Sequence, residues 1–141
     1  FKLEKGDLLF NRTNSYDLVG KIGVFLLDGN YTFASYLIRL RVNPERAEPF
    51  FVNYYLNTES SQNRLKSLGT RGVSQTNINA TNLKSTRIPL PPLQEQKEIV
   101  SIISSANNKI VKEKQKREHL MKLRKGVMQV LLTGKVRVKV N

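Results

Sequence analysis

Cysteine is absent from the 141 residues, so the chain has no disulfide framework, thiolate metal site or thiol nucleophile, and it suits a reducing, cytoplasmic setting. Histidine occurs once, at His119, in a charged helical stretch where a surface or subunit-contact role fits better than that of a base or ligand. No apolar run approaches the ~20 residues of a membrane span, and the opening Phe1-Lys2-Leu3-Glu4-Lys5 has no signal-peptide pattern. The chain opens without Met and in mid-phrase, which suggests sequence upstream. A glycine-rich cofactor loop and an Asn-Pro-Pro-aromatic methylation motif are both missing. Glu95-Gln96-Lys97 offers the acidic-X-Lys half of a nuclease site, but it has no upstream Pro-Asp partner, and Glu95 suits a first helical turn. The expectation is a chain that performs no chemistry alone and has no catalytic residue, metal or cofactor.

Acidic residues are scarce, and none lies between Glu59 and Glu95, a stretch that holds Arg64, Lys66, Arg71, Lys84 and Arg87. The net charge is +13, distributed as +5 over residues 1–92, +5 over 93–132 and +3 over 133–141, so no single tail accounts for it. Such a field attracts polyanions. A solvated basic face and a polyanion-binding face both fit this composition.

Proline is sparse too, yet three of the five sit in Ile88-Pro89-Leu90-Pro91-Pro92-Leu93, where a turn-rich module stops. These prolines fix an extended entry and cannot donate the bonds that a strand or helix interior needs. From Leu93 onward there is neither proline nor glycine until Gly126, and helix formers dominate. The pattern predicts one helix over 93–132, roughly 38 residues and about 57 Å at ~1.5 Å per residue. So long a helix in so small a chain should pack along another helix. Ile99, Ile103, Ala106 and Ile110 follow a coiled-coil seam, and Leu120, Leu123, Val127 and Val130 resume it after a polar break that contains Glu113 and Arg117. Thr133-Gly134 stops the helix, and Val136, Val138 and Val140 alternate with basic residues as a short edge strand or a basic tail.

Before the prolines, 7–10, 22–27 and 35–42 read as strands, the last with Arg39 and Arg41 on one outward face. Pro49 to Leu56 and Ser60 to Leu68 read as short helices, and Gly69 to Asn82 as a loop. The expected class is α+β: a small mixed globular domain over 1–92, the long helix over 93–132 and a tail over 133–141.

Two polar segments are candidates for contact with nucleic acid. Asn11-Arg12-Thr13-Asn14-Ser15 leaves a buried strand and presents amide, hydroxyl and guanidinium groups that suit phosphates or base edges; an ordinary Asx-rich turn fits the pattern as well. Arg71-Gly72-Val73-Ser74-Gln75-Thr76-Asn77-Ile78-Asn79 is the second, with Ile78 as a core anchor and helix capping by its amides as the alternative. Val19-Gly20-Lys21-Ile22-Gly23 offers a weak phosphate motif whose glycines also suit turns.

Together GDLLFNRTNSYDLVGKIGVF at 6–25, FASYLIRLRV at 33–42, FVNYYLN at 51–57, GVSQTNIN at 72–79, IPLPPLQEQKEIV at 88–100 and LRKGVMQVLLTGKVRV at 123–138 resemble the specificity subunit of type I restriction-modification systems. The likeness is to the C-terminal part of a target-recognition domain and the long helix after it. It implies a noncatalytic reader of double-stranded DNA in which two recognition domains, held apart by paired antiparallel helices, each read one half of a split target. The implied partners are methylation subunits, which bind S-adenosylmethionine and modify adenine N6, the ATP-driven restriction subunit, and a second recognition domain or a second copy of the chain. By the resemblance, Asn11, Arg12, Thr13, Asn14, Ser15 and Lys21 lie near DNA, with Arg71, Ser74, Gln75, Asn77 and Asn79 as a second group. The recognition region of a fused restriction-methylation enzyme and a basic adaptor that binds nucleic acid without reading it are the competing readings.

Overall fold

The computed structural model describes residues 2–139. The chain divides into two compact units, Phe1–Val100 and Ser101–Asn141.

The first unit is built on alternation in its opening strand. In β1 (Leu8–Asn11) Leu8 and Phe10 are fully buried, while Leu9 and Asn11 are half-buried. Antiparallel β3 (Ile22–Val24) and β4 (Leu37–Leu40) flank it, with Phe10 opposite both Ile22 and Ile38. At Arg12 the chain changes sheets: its amide donates to Tyr36 O at 3.0 Å and its carbonyl accepts from Ile78 N at 2.8 Å. Immediately after, β2 (Thr13–Asn14) joins a second antiparallel sheet of order β2-β6-β5, with β5 at Thr70–Arg71 and β6 at Thr76–Asn77.

The helices begin where the sequence supplies caps. In α1 (Pro49–Leu56), Pro49 fills the first turn, where its missing N–H costs nothing, and the Glu48 carboxylate accepts from Phe51 N at 2.7 Å. Thr58 caps α2 (Glu59–Ser67), and Asn79 caps the short α3 (Ala80–Lys84) by accepting from Asn82 N at 2.7 Å. Phe10, Leu8, Leu56, Leu65, Ile78 and Val19 form the buried centre, against which Ile88, Ile99 and Val100 also pack. Buried amides lock the elements together. Gln62 donates to Gly20 O and Leu56 O, both at 2.8 Å, and Asn57 both donates to Ile22 O at 2.8 Å and accepts from Ile22 N at 3.3 Å.

The long helix, α4, runs Leu93–Leu132 without interruption, 40 residues or roughly 60 Å at ~1.5 Å per residue. Its first two turns belong to the globular unit. There the wholly buried Gln96 accepts from Glu48 N at 3.0 Å and donates to Arg46 O at 3.0 Å and Pro91 O at 2.7 Å. In the second unit α4 ends in a left-handed Gly134, φ +73°, whose amide donates to Leu131 O while the Thr133 hydroxyl donates to Gln129 O.

Three expectations about elements are corrected. Residues 69–82 are not a plain loop but carry β5, β6 and the start of α3, because two-residue strands close across the Gly72–Gln75 turn, where Gly72 N donates to Gln75 O at 2.7 Å. The strand expected over 22–27 ends at Val24, leaving Leu26 and Leu27 exposed, and the one expected over 35–42 shortens to Leu37–Leu40. Arg39 and Arg41 point out of the core as the alternation predicts, and both are engaged there: Arg39 donates to Lys2 O at 2.6 Å, and Arg41 binds the buried Asp7 through Nε at 2.7 Å and Nη2 at 2.9 Å. No strand forms over the described tail residues 133–139, and Val140 lies outside the described residues.

Candidate nucleic-acid interface

The two polar segments, some 60 positions apart in sequence, are neighbours in one sheet. Thr13 pairs with Asn77, and Asn14 with Thr76, so β2 lies directly against β6, and Arg71 lies opposite Thr76 on the other side. Side chains repeat this pairing. Asn77 Nδ2 donates to Thr13 Oγ1 at 2.8 Å, and Arg12 Nη2 reaches Asn77 Oδ1 at 3.5 Å. Ile78, fully buried, anchors β6 to the core as expected, and Thr76 is buried beside it.

The candidates divide by what their side chains already do. Asn77 is engaged with Thr13 and Arg12, and Asn79 is the α3 cap. Asn11 Nδ2 donates to Leu18 O at 3.1 Å, which closes the turn after β2. These three asparagines shape the surface. Ser15, Lys21, Arg71, Ser74 and Gln75 are exposed, and Asn14 is half-buried with its Oδ1 turned to Ser15 N. Within the strip, Asn11 Oδ1 and Arg12 Nε are buried without a hydrogen-bond partner, so polar capacity is left over where the two sheets meet.

The segment 19–23 is a turn rather than a phosphate cradle. Gly20, at φ +86°, donates to Asn11 O at 2.8 Å, Lys21 N to Leu18 O at 3.4 Å and Ile22 N to Asn57 Oδ1 at 3.3 Å, so these amides are already used. Lys21 remains available as a charge.

Around the strip the charge is one-sided. Arg12, Lys21, Lys66 and Arg71 lie there with Asp17 as the local acid, and the three ion pairs of the described residues, Lys5–Asp28, Arg41–Glu4 and Arg41–Asp7, are all elsewhere. Sequence reasoning missed Tyr16 and the place of Lys66 beside it. The Tyr16 ring, from the turn after β2, has the Arg71 guanidinium carbon 4.1 Å and Lys66 Nζ 5.2 Å from its centroid. Tyr16 directly follows the polar run and was legible as a neighbour; Lys66 showed only as one cation of the acid-free stretch, since its approach to the ring depends on how α2 packs. Val73, at the turn tip, is fully exposed.

No group of three or more His, Cys, Asp or Glu among the described residues is placed to hold a metal, and His119 is exposed on α4. A groove of about 260 Å³ lined mainly by Leu8, Ile38, Leu40, Val52, Leu56 and Leu83 is apolar, and none of the candidate residues lines it. No helix of the described residues is long and apolar enough to cross a membrane.

On α4, Ile99 packs against the core of the globular unit. In the second unit Ile110, Leu120, Leu123, Val127 and Val130 are exposed, and Ile103 is half-buried; Ala106, small and exposed, lies between them.

The first unit thus sets a positive, amide-rich strip on a pair of small sheets, and the long helix follows it in the chain. The family model that matches residues 1–122 is described as the type I restriction modification DNA specificity domain, and the chain belongs to that family. It is 38% identical over 136 residues to a Methanocaldococcus jannaschii protein provisionally named the MjaX type I restriction enzyme specificity subunit, covering 94% of this chain and 32% of that protein. The EcoKI specificity subunit of Escherichia coli is 34% identical over 102 residues, covering 70% of this chain and 22% of the subunit. The StySPI specificity subunit of Salmonella potsdam is 33% identical over 102 residues, covering 71% and 22%. The chain thus spans about a third or less of the length of these relatives.

Proposed function

We propose that this chain is the noncatalytic part of a type I restriction-modification complex that reads one half of a two-part DNA target, with residues 1–92 as the C-terminal part of a recognition domain, 93–132 as spacer and dimerisation helix and 133–141 as a basic tail. The observation that carries the reading is the convergence of residues 11–15 and 71–79 on one β2-β6-β5 strip, within a chain of the DNA specificity domain family. Arg12, Thr13, Asn14, Ser15, Lys21, Arg71, Ser74 and Gln75 contact DNA; Asn11, Asn77 and Asn79 hold those groups in place. Guanidinium and amide groups suit purine edges, and Lys21 needs only charge and reach.

The pattern of α4 supports the two-part target. Its four-three seam is symmetric about Gln115: Ile103 mirrors Val127, Ala106 mirrors Arg124, Ile110 mirrors Leu120 and Glu113 mirrors Arg117. A like helix running antiparallel therefore meets Ile103 with Val127, Ile110 with Leu120 and each Glu113 with an Arg117, with the small Ala106 beside the stem of Arg124. Two recognition domains would thereby be held at a set spacing, with methylation subunits docked along the helices. The complex works in the cytoplasm.

The test is to assemble the protein as the cell makes it with methylation subunits and to sequence the adenines modified in a random DNA library. Modification confined to a two-part motif is expected, and Arg12→Ala should weaken target binding roughly tenfold by loss of one specific contact. Unselective modification, or a folded Arg12→Ala protein with unchanged affinity, would count against the reading.

A further inference from the structure

Two cations share one aromatic ring beside the strip. Tyr16 comes from the turn after β2, Lys66 from the last turn of α2 and Arg71 from β5, so three separated pieces of chain meet at this ring. Neither cation has a carboxylate partner among the described residues; Lys66 Nζ donates only to the Asp17 backbone oxygen, at 3.3 Å. Like charges gathered this way repel, and the negative face of the ring is what offsets that repulsion. Arg71 is also fixed through its backbone, since β5 pairs with β6 and the Gly72–Gln75 turn is closed by a 2.7 Å bond. Tyr16 is 43% exposed, so the group is open to solvent. A pair of preplaced, unneutralised cations is suited to a phosphate, and phosphate contacts set the register in which neighbouring side chains read bases.

We propose that Tyr16 is a positioning residue that holds Lys66 and Arg71 as a two-cation clamp for the DNA backbone at the edge of the β2-β6-β5 strip. The proposal rests on the DNA reading above and adds to it which cations take phosphate and what orders them. It makes Arg71 a backbone contact rather than a reader of bases.

The experiment is the salt dependence of target-duplex binding by the complete complex, with Lys66→Ala, Arg71→Ala, Tyr16→Phe and Tyr16→Leu proteins compared at matched thermal stability. Each lost phosphate contact should flatten the slope of log K against log salt by about 0.9. Lys66→Ala and Arg71→Ala are expected to do so singly, while leaving the preference for target over random duplex unchanged. Tyr16→Phe keeps the ring and should keep both affinity and slope; Tyr16→Leu should lose several-fold in affinity with a flatter slope. A Tyr16→Leu protein that binds like the wild type overturns the proposal, as does an Arg71→Ala protein that loses target preference with its slope intact. Equal losses in Tyr16→Phe and Tyr16→Leu would assign the effect to the hydroxyl and overturn it too. A wild-type complex with no salt-dependent DNA binding would instead overturn the DNA reading itself.

Discussion

Asp7 is the buried acid of the globular unit, 1% exposed, yet its cover is thin, because the half-exposed Arg41 is its lid. The two bonds from Arg41, with further help from the Glu4 amide at 2.9 Å, outweigh the cost of burial and hold the Asp7 carboxyl below the usual carboxylate range; the same contact pushes the Arg41 guanidinium up. A carboxyl with a depressed folded pKa adds stability that is present above its unfolded value, ~3.9, and is lost as pH falls through the folded value. Asp7→Asn should therefore cost about 1–3 kcal/mol at pH 7, the scale of a buried charged hydrogen bond. It should also flatten the fall in stability below about pH 4, which urea unfolding at pH 7 and pH 3 would detect; an unchanged acid limb would dismiss the account. At this scale the sequence was legible by residue type and not by role. Arg12, Thr13 and Asn77 stood out as polar, but the bonds that join them cross more than 60 residues of chain, a separation that no local pattern encodes.

Among the elements, α1, α2 and α4 were legible because caps, a first-turn proline and an unbroken run of helix formers are local signals. The small β2-β6-β5 sheet was not. Two-residue strands carry no periodicity, and their polar side chains look like loop until the pairing is seen. Its placement depends on a close approach at Gly69, where an added Cβ would stand 2.7 Å from Thr76 Cγ2 and 3.2 Å from Ile78 Cγ1 and Lys66 O. Gly69→Ala should cost about 1–3 kcal/mol by forcing β6 away from α2, and DNA affinity should fall with it. Thermal unfolding measures the first effect, and an alanine protein as stable as the wild type would show that the strand can shift freely. The helix makes its own prediction. If like copies pair antiparallel about Gln115, Glu113→Arg should weaken self-association roughly fivefold, and adding Arg117→Glu should restore it, since each swap acts at two symmetric sites. Sedimentation equilibrium separates these, and a double variant no better than the single one would refute the register.

For the molecule as a whole, the excess of +13 is the property that acts over distance. It predicts binding to random duplex that falls at least tenfold between about 50 and 200 mM salt, with preference for the target less affected, because counterion release governs the first and base contacts the second. Filter binding at several salt concentrations checks this; equal loss of both would leave only the nonspecific component. Part of that charge is not free. Arg41 is paired with Asp7 and Glu4, and Arg39 donates to a backbone oxygen, so the outward arginine face read from the alternation also fastens the chain beneath it. By itself the sequence determined the family, the long helix with its caps and stops, and the sign of the charge, because these follow from local spacing and composition. Only the tertiary structure decided that residues 11–15 and 71–79 form one surface, that Gln62 and Gln96 are buried fasteners rather than surface amides, and that Tyr16 gathers Lys66 and Arg71. Those facts depend on long-range packing, where a polar side chain is defined by the partner the fold brings to it.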